Sequence, residues 1–424
     1  MKLITQRIRG MQDVLPGQSE KWAYIEKVMR EEAELYGFKF IRTPVLEHTE
    51  LFERSSGETS DVVEKEMYTF TDKGGRSVSM RPEVTGGALR AVLENGLYNS
   101  VLPLKVMYFS PCYRYDKPQS GRLREFFQFG LEIYGGNLAL ADAEIMILIN
   151  SVLNKLSINS ARAEINTLGC PSCREGYKAG LIKYFEKNKS NLCATCLDRL
   201  YRNPMRIFDC KSEVCGDICK NAPIIISFIC QDCAEHFESL KQYLTVAGVE
   251  HVVNPHIVRG LDYYSRTVFE FICENNGSSL VLCGGGRYDG LSKIMGGPDL
   301  TAVGMSMGME RVLMVMENQG VKFPEPDVPL LYIAPLGEKA KILCLKLAEK
   351  LRNNSIKMEV DIVGRNIKAQ MKYADKIGAK YVMVIGSAEI ASGVTKLKNM
   401  ETGEETDINL NENFMNEFES IIRS

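Results

Sequence analysis

The stretch Met107–Tyr134, MYFSPCYRYDKPQSGRLREFFQFGLEIY, decides how the chain is read. It predicts a strand over Val106–Arg114, a polar turn carrying Pro118 and Gly121, and a return strand over Arg124–Tyr134. Its outer segments are rich in Tyr, Phe, Val and Ile, as hairpin strands require. The turn is densely charged, with Arg114, Lys117, Arg122 and Arg124 on or beside it and Asp116, Glu125, Gln128 and Glu132 among them. Guanidinium groups projecting past a turn suit phosphate, because Arg presents a planar fork that binds two oxygens at once. Taken alone, the same charges also suit a solvated surface hairpin.

The flanking sequence supplies a sheet for this hairpin. Gln18–Gly37 shows helical spacing at Trp22, Ile25, Val28, Met29 and Leu35, with Gly37 as a stop. Phe38–Pro44 reads as a strand ending at proline. Tyr68–Phe70 and Ser77–Met80 form a second hairpin turning at Gly74–Gly75, and Arg81–Gly87 enters a helix running to Asn95. Ala139–Leu156 is a helix with Asp142 and Glu144 near its start. These segments lack the regular strand–helix alternation of a doubly wound sheet. The expected fold class is therefore α+β, a mostly antiparallel sheet flanked by helices.

Composition changes at Cys170. From 170 to 251 the sequence is helical, polar and holds nine cysteines, which marks it as an insertion. Sheet-like sequence resumes at Val258–Glu274 and Ser279–Leu282, a glycine-rich bend is expected at Gly284–Gly286, and Val303–Glu317 reads as a strand entering a helix. Residues 318–327, with Gly320, Pro324 and Pro326, form a linker. Beyond it strands and helices alternate, which predicts a separate α/β domain over 328–424. The core is thus expected from 1–169 and 252–317, interrupted by 170–251.

A chain of 424 residues is too long for one core, in keeping with two or three domains. A net charge of −2 announces no global attraction to nucleic acid, though a local basic patch is compatible with it. The first twenty residues lack the apolar centre of a signal peptide, and no apolar run approaches the roughly 18 residues of a membrane helix. A cytoplasmic protein is expected. In that compartment thirteen cysteines argue for metal or spare thiols before disulfides. Cys170/Cys173, Cys193/Cys196 and Cys230/Cys233 are C-x2-C pairs with zinc-ligand spacing, and Cys210, Cys215 and Cys219 lie between them. Structural zinc in one or two sites is the expectation, with Cys170, Cys173, Cys193, Cys196, Cys210, Cys215, Cys230 and Cys233 as ligands and their pairing open. The alternative is a helical insertion with free thiols.

No G-x-x-x-x-G-K-[ST] loop and no strand–G-x-G-x-x-G–helix unit occurs, so neither usual nucleotide cradle is present. None of the four histidines sits in a motif. If phosphate is handled here, arginines handle it. Three stretches fit: RGLDYYSRTVFE (Arg259–Glu270), expected on a strand; CGGGRYDG (Cys283–Gly290), whose glycines admit close backbone approach; and VGMSMGMER (Val303–Arg311), a strand end followed by Glu310 and Arg311. Singly, they also read as a core strand, a bulge and a surface ion pair.

Together these motifs resemble the class II aminoacyl-tRNA synthetases, and within them the histidyl-tRNA synthetase family. RGMQDVLP (Arg9–Pro16) and the helix–strand–Pro44 unit are similar to the family's N-terminal signature and dimer-forming first motif. The hairpin is similar to the second motif and Gly304–Met316 to the third. RGLDYYSRTVFEF and GGGRYDGL resemble the two histidine-specific signatures. VGRNIKAQMKYADKIGAKYVMVIG resembles the anticodon-binding domain. The resemblance covers essentially the whole chain.

It implies a homodimeric ligase that activates histidine with ATP and Mg2+ and transfers it to tRNA(His). By position, Arg114 and Arg259 would contact the α-phosphate and the histidine carboxylate. Phe126 would stack on adenine with Arg311 on its other face, and Arg122 would hold the γ-phosphate. Glu83, Val84, Thr85 and Gln128 would surround the α-amino group. Glu132 and Tyr264 would pair with the imidazole nitrogens beside Tyr263, itself equally readable as a core aromatic. Lys117 and Gln119 would meet the 5′ end of the tRNA; Arg365 and Asn366, with Lys368 and Gln370, would face the anticodon. The insertion would face the acceptor arm. Val84 stands where the family more often has glycine, and Glu125 and Phe127 where it has Gln and His. The rival reading is a non-catalytic synthetase-like regulatory subunit of ATP phosphoribosyltransferase, which typically lacks the C-terminal domain and these arginines. A tRNA-binding module without activity is a third.

Overall fold

The computed structural model describes residues 4–57, 60–119, 121–275 and 277–423. The extreme ends of the two expected domains and Ser120, at the tip of the charged turn, lie outside them. The chain divides into two compact units, Met1–Phe323 and Pro324–Ser424.

In the first unit the strands are β1 (Lys39–Phe40), β2 (Leu46–His48), β3 (Tyr68–Thr71), β4 (Ser77–Met80), β5 (Leu104–Tyr113), β6 (Glu125–Tyr134), β7 (Arg162–Thr167), β8 (His251–Val253), β9 (Ser265–Asn275), β10 (Ser278–Arg287) and β11 (Ala302–Gly308). Eight of them make one sheet in the order β1-β5-β6-β11-β10-β9-β7-β8, and β2-β4-β3 form a small one. Only the outermost pairs of the large sheet, β1 with β5 and β7 with β8, are parallel. The antiparallel expectation therefore holds for its centre.

The quoted hairpin is β5 and β6, paired without a break from Leu104–Tyr134 to Tyr113–Glu125. Side chains alternate faces along a strand. On one face Met107, Phe129, Leu131 and Ile133 join the main core under the helices Ser19–Leu35 and Ala139–Lys155. Ile25, Met29 and Ala33, spaced four residues apart, bury one stripe of the first helix. The second is apolar nearly all round, because it is covered by both the sheet and the helix Gln231–Val246. The opposite face of the hairpin carries the polar residues of the site.

Three expectations are corrected. The strand predicted over Phe38–Pro44 shrinks to Lys39–Phe40, where its pairing with β5 ends. Residues 259–264 precede β9 as a loop, because Asn203 donates to Asp262 at 3.0 Å and Asp262 N–H bonds Ser56 O at 3.3 Å, drawing the segment off the sheet. Gly284–Gly286 are not a bend but the interior of β10, paired with Glu270–Val268 and Ser306–Gly304.

The second unit is a mixed sheet, β13-β12-β14-β15-β16, with strands β12 (Leu331–Pro335), β13 (Met358–Val360), β14 (Tyr381–Ile385), β15 (Val394–Asn399) and β16 (Glu405–Asn409). β12 is parallel to β13 and β14, whereas β14, β15 and β16 run antiparallel. The helices Glu338–Asn353 and Phe414–Arg423 cover one face around Leu331, Ile333, Leu347, Phe414 and Phe418. β16 and the helix Ser387–Ser392 did not stand out in the sequence: the strand is mostly exposed and polar.

Candidate active site

A cleft of about 730 Å³ opens on the polar face of β6, β11, β10 and β9. Arg114, Arg122, Phe126, Gln128, Glu83, Thr85, Arg259, Tyr263, Tyr264 and Arg311 all line it, although they come from four separate parts of the sequence. Each is aimed by a local device. Arg114, one residue past β5, donates Nε to Pro82 O at 2.9 Å and lies 5.2 Å from the Phe126 ring centre. Arg311, in the first turn of the helix Met309–Asn318, donates to Gly121 O at 3.0 Å and Val281 O at 2.7 Å, so it bridges the hairpin turn and β10. Arg122 pairs with Asp116 and Glu66. Arg259 pairs with Glu270 of β9.

The glycine triplet makes room for this arrangement. A Cβ on Gly284 would collide with the Arg259 guanidinium, and one on Gly285 with the backbone of Gly304. A Cβ on Gly304 would meet the Glu132 carboxylate directly opposite on β6. Three glycines, spread over two motifs, are thus required by close approach.

Glu132 and Val84 do not line the cleft. Val84 is buried against Ala88, Tyr108 and Cys112 as a packing residue. Glu132 lies beneath the floor, fully buried, and accepts hydrogen bonds from Thr85 Oγ1 (2.9 Å), Tyr108 OH (3.0 Å) and Tyr288 OH (2.5 Å). Burial pushes its carboxyl up to about 8, against the three hydroxyl donors that favour the anion. Glu83 accepts from Gly86 N–H at 3.0 Å at the entry to the helix Thr85–Glu94, and burial raises its carboxyl too. Glu125 accepts from Tyr113 OH at 3.0 Å and is not among the residues lining the cleft.

The expected tyrosines and Glu310 are held by their neighbours. Tyr263 and Tyr264 pack ring against ring at 4.5 Å, with Tyr288 behind Tyr263 at 5.4 Å. Glu310 accepts from Phe127 N–H at 2.9 Å, and burial pushes it up to about 7. Asp61, Arg206, Asp209 and Lys211 close one side, and the last three belong to the insertion. None of these four was singled out in the sequence.

Lys117 and Gln119 are exposed on the turn, outside the cleft lining, and Gln119 bridges backbone to backbone with Arg122. In the second unit Arg365 pairs with Asp361 at 2.6 Å and lies 4.2 Å from the Tyr373 ring centre. Asn366 caps the helix Ile367–Lys376 by accepting from Ala369 N–H at 3.0 Å. Gln370 is buried and donates to Pro335 O and Arg365 O, so it is withdrawn from any exposed face.

The eight expected cysteines converge in two quartets, Cys170/Cys173/Cys230/Cys233 and Cys193/Cys196/Cys210/Cys215, with all sulfurs of a quartet within 4.8 Å of one another. Cys219 stays outside both. Hydrogen bonds from backbone N–H groups, at Cys173 and Cys196, hold the Cys170 and Cys193 thiols down at about 7.

An antiparallel sheet with arginines from a hairpin, a glycine-rich strand and a strand–helix end, without a P-loop or dinucleotide fold, defines a class II aminoacyl-tRNA synthetase catalytic unit. A family model described as histidyl-tRNA synthetase matches residues 10–170 and 229–312, and one described as anticodon binding domain matches 331–419. The chain is 49% identical to a histidine–tRNA ligase of Caldanaerobacter subterraneus subsp. tengcongensis, over 97% of this chain and 98% of that one. It is 48% identical to one from Clostridium perfringens over 99% of both. Apo Staphylococcus aureus histidyl-tRNA synthetase superposes with a TM-score of 0.83 at 36% identity, covering 96% of this chain and 98% of that one. A Bacillus halodurans protein titled as an ATP phosphoribosyltransferase regulatory subunit/histidyl-tRNA synthetase shares the fold at 21% identity and a TM-score of 0.65, over 91% of this chain and 100% of that one. The chain belongs to the histidyl-tRNA synthetase family.

Proposed function

We propose that this protein is an ATP-dependent histidine–tRNA ligase. Histidine attacks the α-phosphate of ATP through its carboxylate, diphosphate leaves, and the histidyl group of the adenylate then passes to the 3′ end of tRNA(His) with release of AMP. The observation that carries this reading is the convergence of Arg114, Arg259 and Arg311 on one cleft with Glu83, Gln128 and Tyr264.

The first step is an in-line displacement that needs little proton transfer and much charge stabilisation. Arg114 and Arg259 neutralise the α-phosphate and the incoming carboxylate. Phe126 and Arg311 sandwich adenine, a use of guanidinium that lysine could not match. Arg122 holds the γ-phosphate end. Glu66, Glu270 and Glu310 line the cleft and would offer carboxylate oxygens to a magnesium ion, which would supply further charge neutralisation for the phosphates. Glu83, Thr85 and Gln128 receive the α-amino group. Tyr264 takes one imidazole nitrogen and Glu132 the other. Because Glu132 is fully buried, a ring that reaches it must seat at the bottom of the cleft. A side chain lacking those nitrogens would leave buried polar groups unpaired, the strongest form of rejection available to such a site.

Lys117 and Gln119 suit the 5′ end of tRNA, as a phosphate cation and a base-edge amide. Residues 328–424 read the anticodon, with Arg365 half-buried between Asp361 and Tyr373; Asn366 serves there as a helix cap. The active form is a cytoplasmic homodimer, and no helix among the described residues is long and apolar enough to cross a membrane. The cysteine quartets hold zinc in a structural role. A regulatory subunit would bind histidine without charging RNA. Aminoacylation tests the reading: ATP-dependent attachment of radiolabelled histidine to tRNA(His) is expected, and no attachment by folded protein would refute it.

A further inference from the structure

We infer that the insertion holds two separate zinc centres with different tasks, and that the Cys193/Cys196/Cys210/Cys215 centre fixes one wall of the histidine cleft. The inference rests on the zinc reading above and assigns what each centre does.

Tetrahedral thiolate zinc has Zn–S bonds of about 2.3 Å and hence sulfur–sulfur separations of about 3.8 Å. Each quartet already brings four sulfurs within 4.8 Å, with Cys170–Cys173 at 3.5 Å and Cys193–Cys210 at 3.7 Å. Backbone N–H groups donate to ligand sulfurs: Cys230 to Cys173 at 3.0 Å, Cys193 to Cys215 at 3.3 Å and Ser212 to Cys210 at 3.4 Å. Such donors delocalise thiolate charge around a metal. Four thiols meeting at a point serve a cation, whereas disulfides need them only in pairs. The insertion's own core, around Leu181, Phe185, Leu200 and Ile207, takes in two of the ligand cysteines, Cys196 and Cys215.

The two quartets sit at different places. Cys170 and Cys173 open the helix Pro171–Lys187, and Cys230 and Cys233 open the helix Gln231–Val246. That centre therefore ties the outgoing and returning helices of the insertion together at its neck. The second closes the segment 193–215, and what it encloses faces the cleft. Arg206 donates to Asp61 at 2.9 Å and to Arg259 O at 3.3 Å, Arg199 donates to Asp61 at 3.1 Å, and Asn203 donates to Asp262 at 3.0 Å. The bonds to Arg259 O and Asp262 hold the loop that presents Arg259, Tyr263 and Tyr264, and those to Asp61 tie the same segment to another residue of the cleft lining. The ligand Cys210 directly follows Asp209, a residue of the cleft lining.

Elemental analysis of the full chain, with native mass spectrometry, should find two zinc ions per chain. Cys170→Ser/Cys230→Ser and Cys193→Ser/Cys210→Ser should each retain one. In ATP–diphosphate exchange the second variant should raise the KM for histidine about tenfold, while the neck variant stays within twofold and unfolds at lower temperature. Zinc-free wild type that takes up neither zinc nor cobalt overturns the zinc reading and this inference with it. One ion per chain overturns the two-centre assignment. Two ions with an unaltered histidine KM in Cys193→Ser/Cys210→Ser leaves the zinc reading standing and overturns the link to the cleft. If that variant does not fold, the KM is read on wild type stripped to one zinc by a thiol reagent, with the emptied quartet identified by labelling.

Discussion

In the proposed mechanism Arg259 is the residue on which the chemistry leans most. It reaches the cleft from a loop, is balanced by Glu270, and sits over a glycine that leaves it space. Arg259→Ala should lower the rate of histidine activation by about 10²-fold or more, as loss of one charge-stabilising donor does elsewhere. Its melting temperature should stay close to wild type, because Glu270 keeps some contact with solvent. An unchanged exchange rate would remove Arg259 from the site. Glu132 makes a different prediction. The folded protein keeps its proton up to about 8, whereas an unfolded glutamate releases it near 4.5, so between those values the folded state binds more protons. The stability it allows is full below about 4.5 and is lost as pH rises toward 8. Glu132→Gln should therefore narrow the difference in melting temperature between pH 5 and pH 8, and an equal difference in both proteins would contradict the buried, protonated carboxyl. Arg114 and Arg122 were legible from the hairpin alone as cations beside a turn, whereas Phe126 and Gln128 took their roles from the family resemblance. Tyr108 and Tyr288, which complete the shell of Glu132, were not, since a tyrosine in a strand reads as packing until its hydroxyl has a partner.

At the scale of elements, the glycine strand β10 sets the geometry. Gly284→Ala should displace the Arg259 guanidinium and reduce exchange activity in the direction of Arg259→Ala while the sheet persists. Gly285→Ala meets backbone of β11, and should cost about 1–3 kcal/mol of stability, the range for overpacking a filled site. Denaturant midpoints of the two variants separate these outcomes: equal midpoints would mean that the two glycines do the same work. Sequence alone made this strand a bend, because glycine triplets ordinarily punctuate. The opposite held here since neighbours on both sides, Phe269 and Met305 among them, supply the pairing and occupy the space side chains would take. The error over 259–264 has the mirrored cause. Val258, Leu261, Tyr263 and Tyr264 are strand-forming residues, but a bond from Asn203 and one to the Ser56 carbonyl, both on distant segments, fix Asp262 and hold the stretch as a loop. Nothing local records either fact.

At the scale of the whole molecule, the two units have separate cores, and the residues proposed for activation all belong to the first. A chain ending at Phe323 should keep histidine-dependent exchange within a few-fold and lose most of its aminoacylation efficiency; loss of exchange in a folded fragment would show that activation needs the second unit. An antiparallel core and a C-terminal α/β region could be read from strand alternation. That the insertion walls the cleft could not, because Arg206, Asp209 and Lys211 gain their meaning only from Asp61 and Arg259 across a fold. The most direct test of the central claim, that this cleft activates histidine, is ATP–diphosphate exchange with each of the twenty amino acids. Exchange with histidine alone is the expected result. Exchange with another amino acid, or none with any by correctly folded protein, would contradict it.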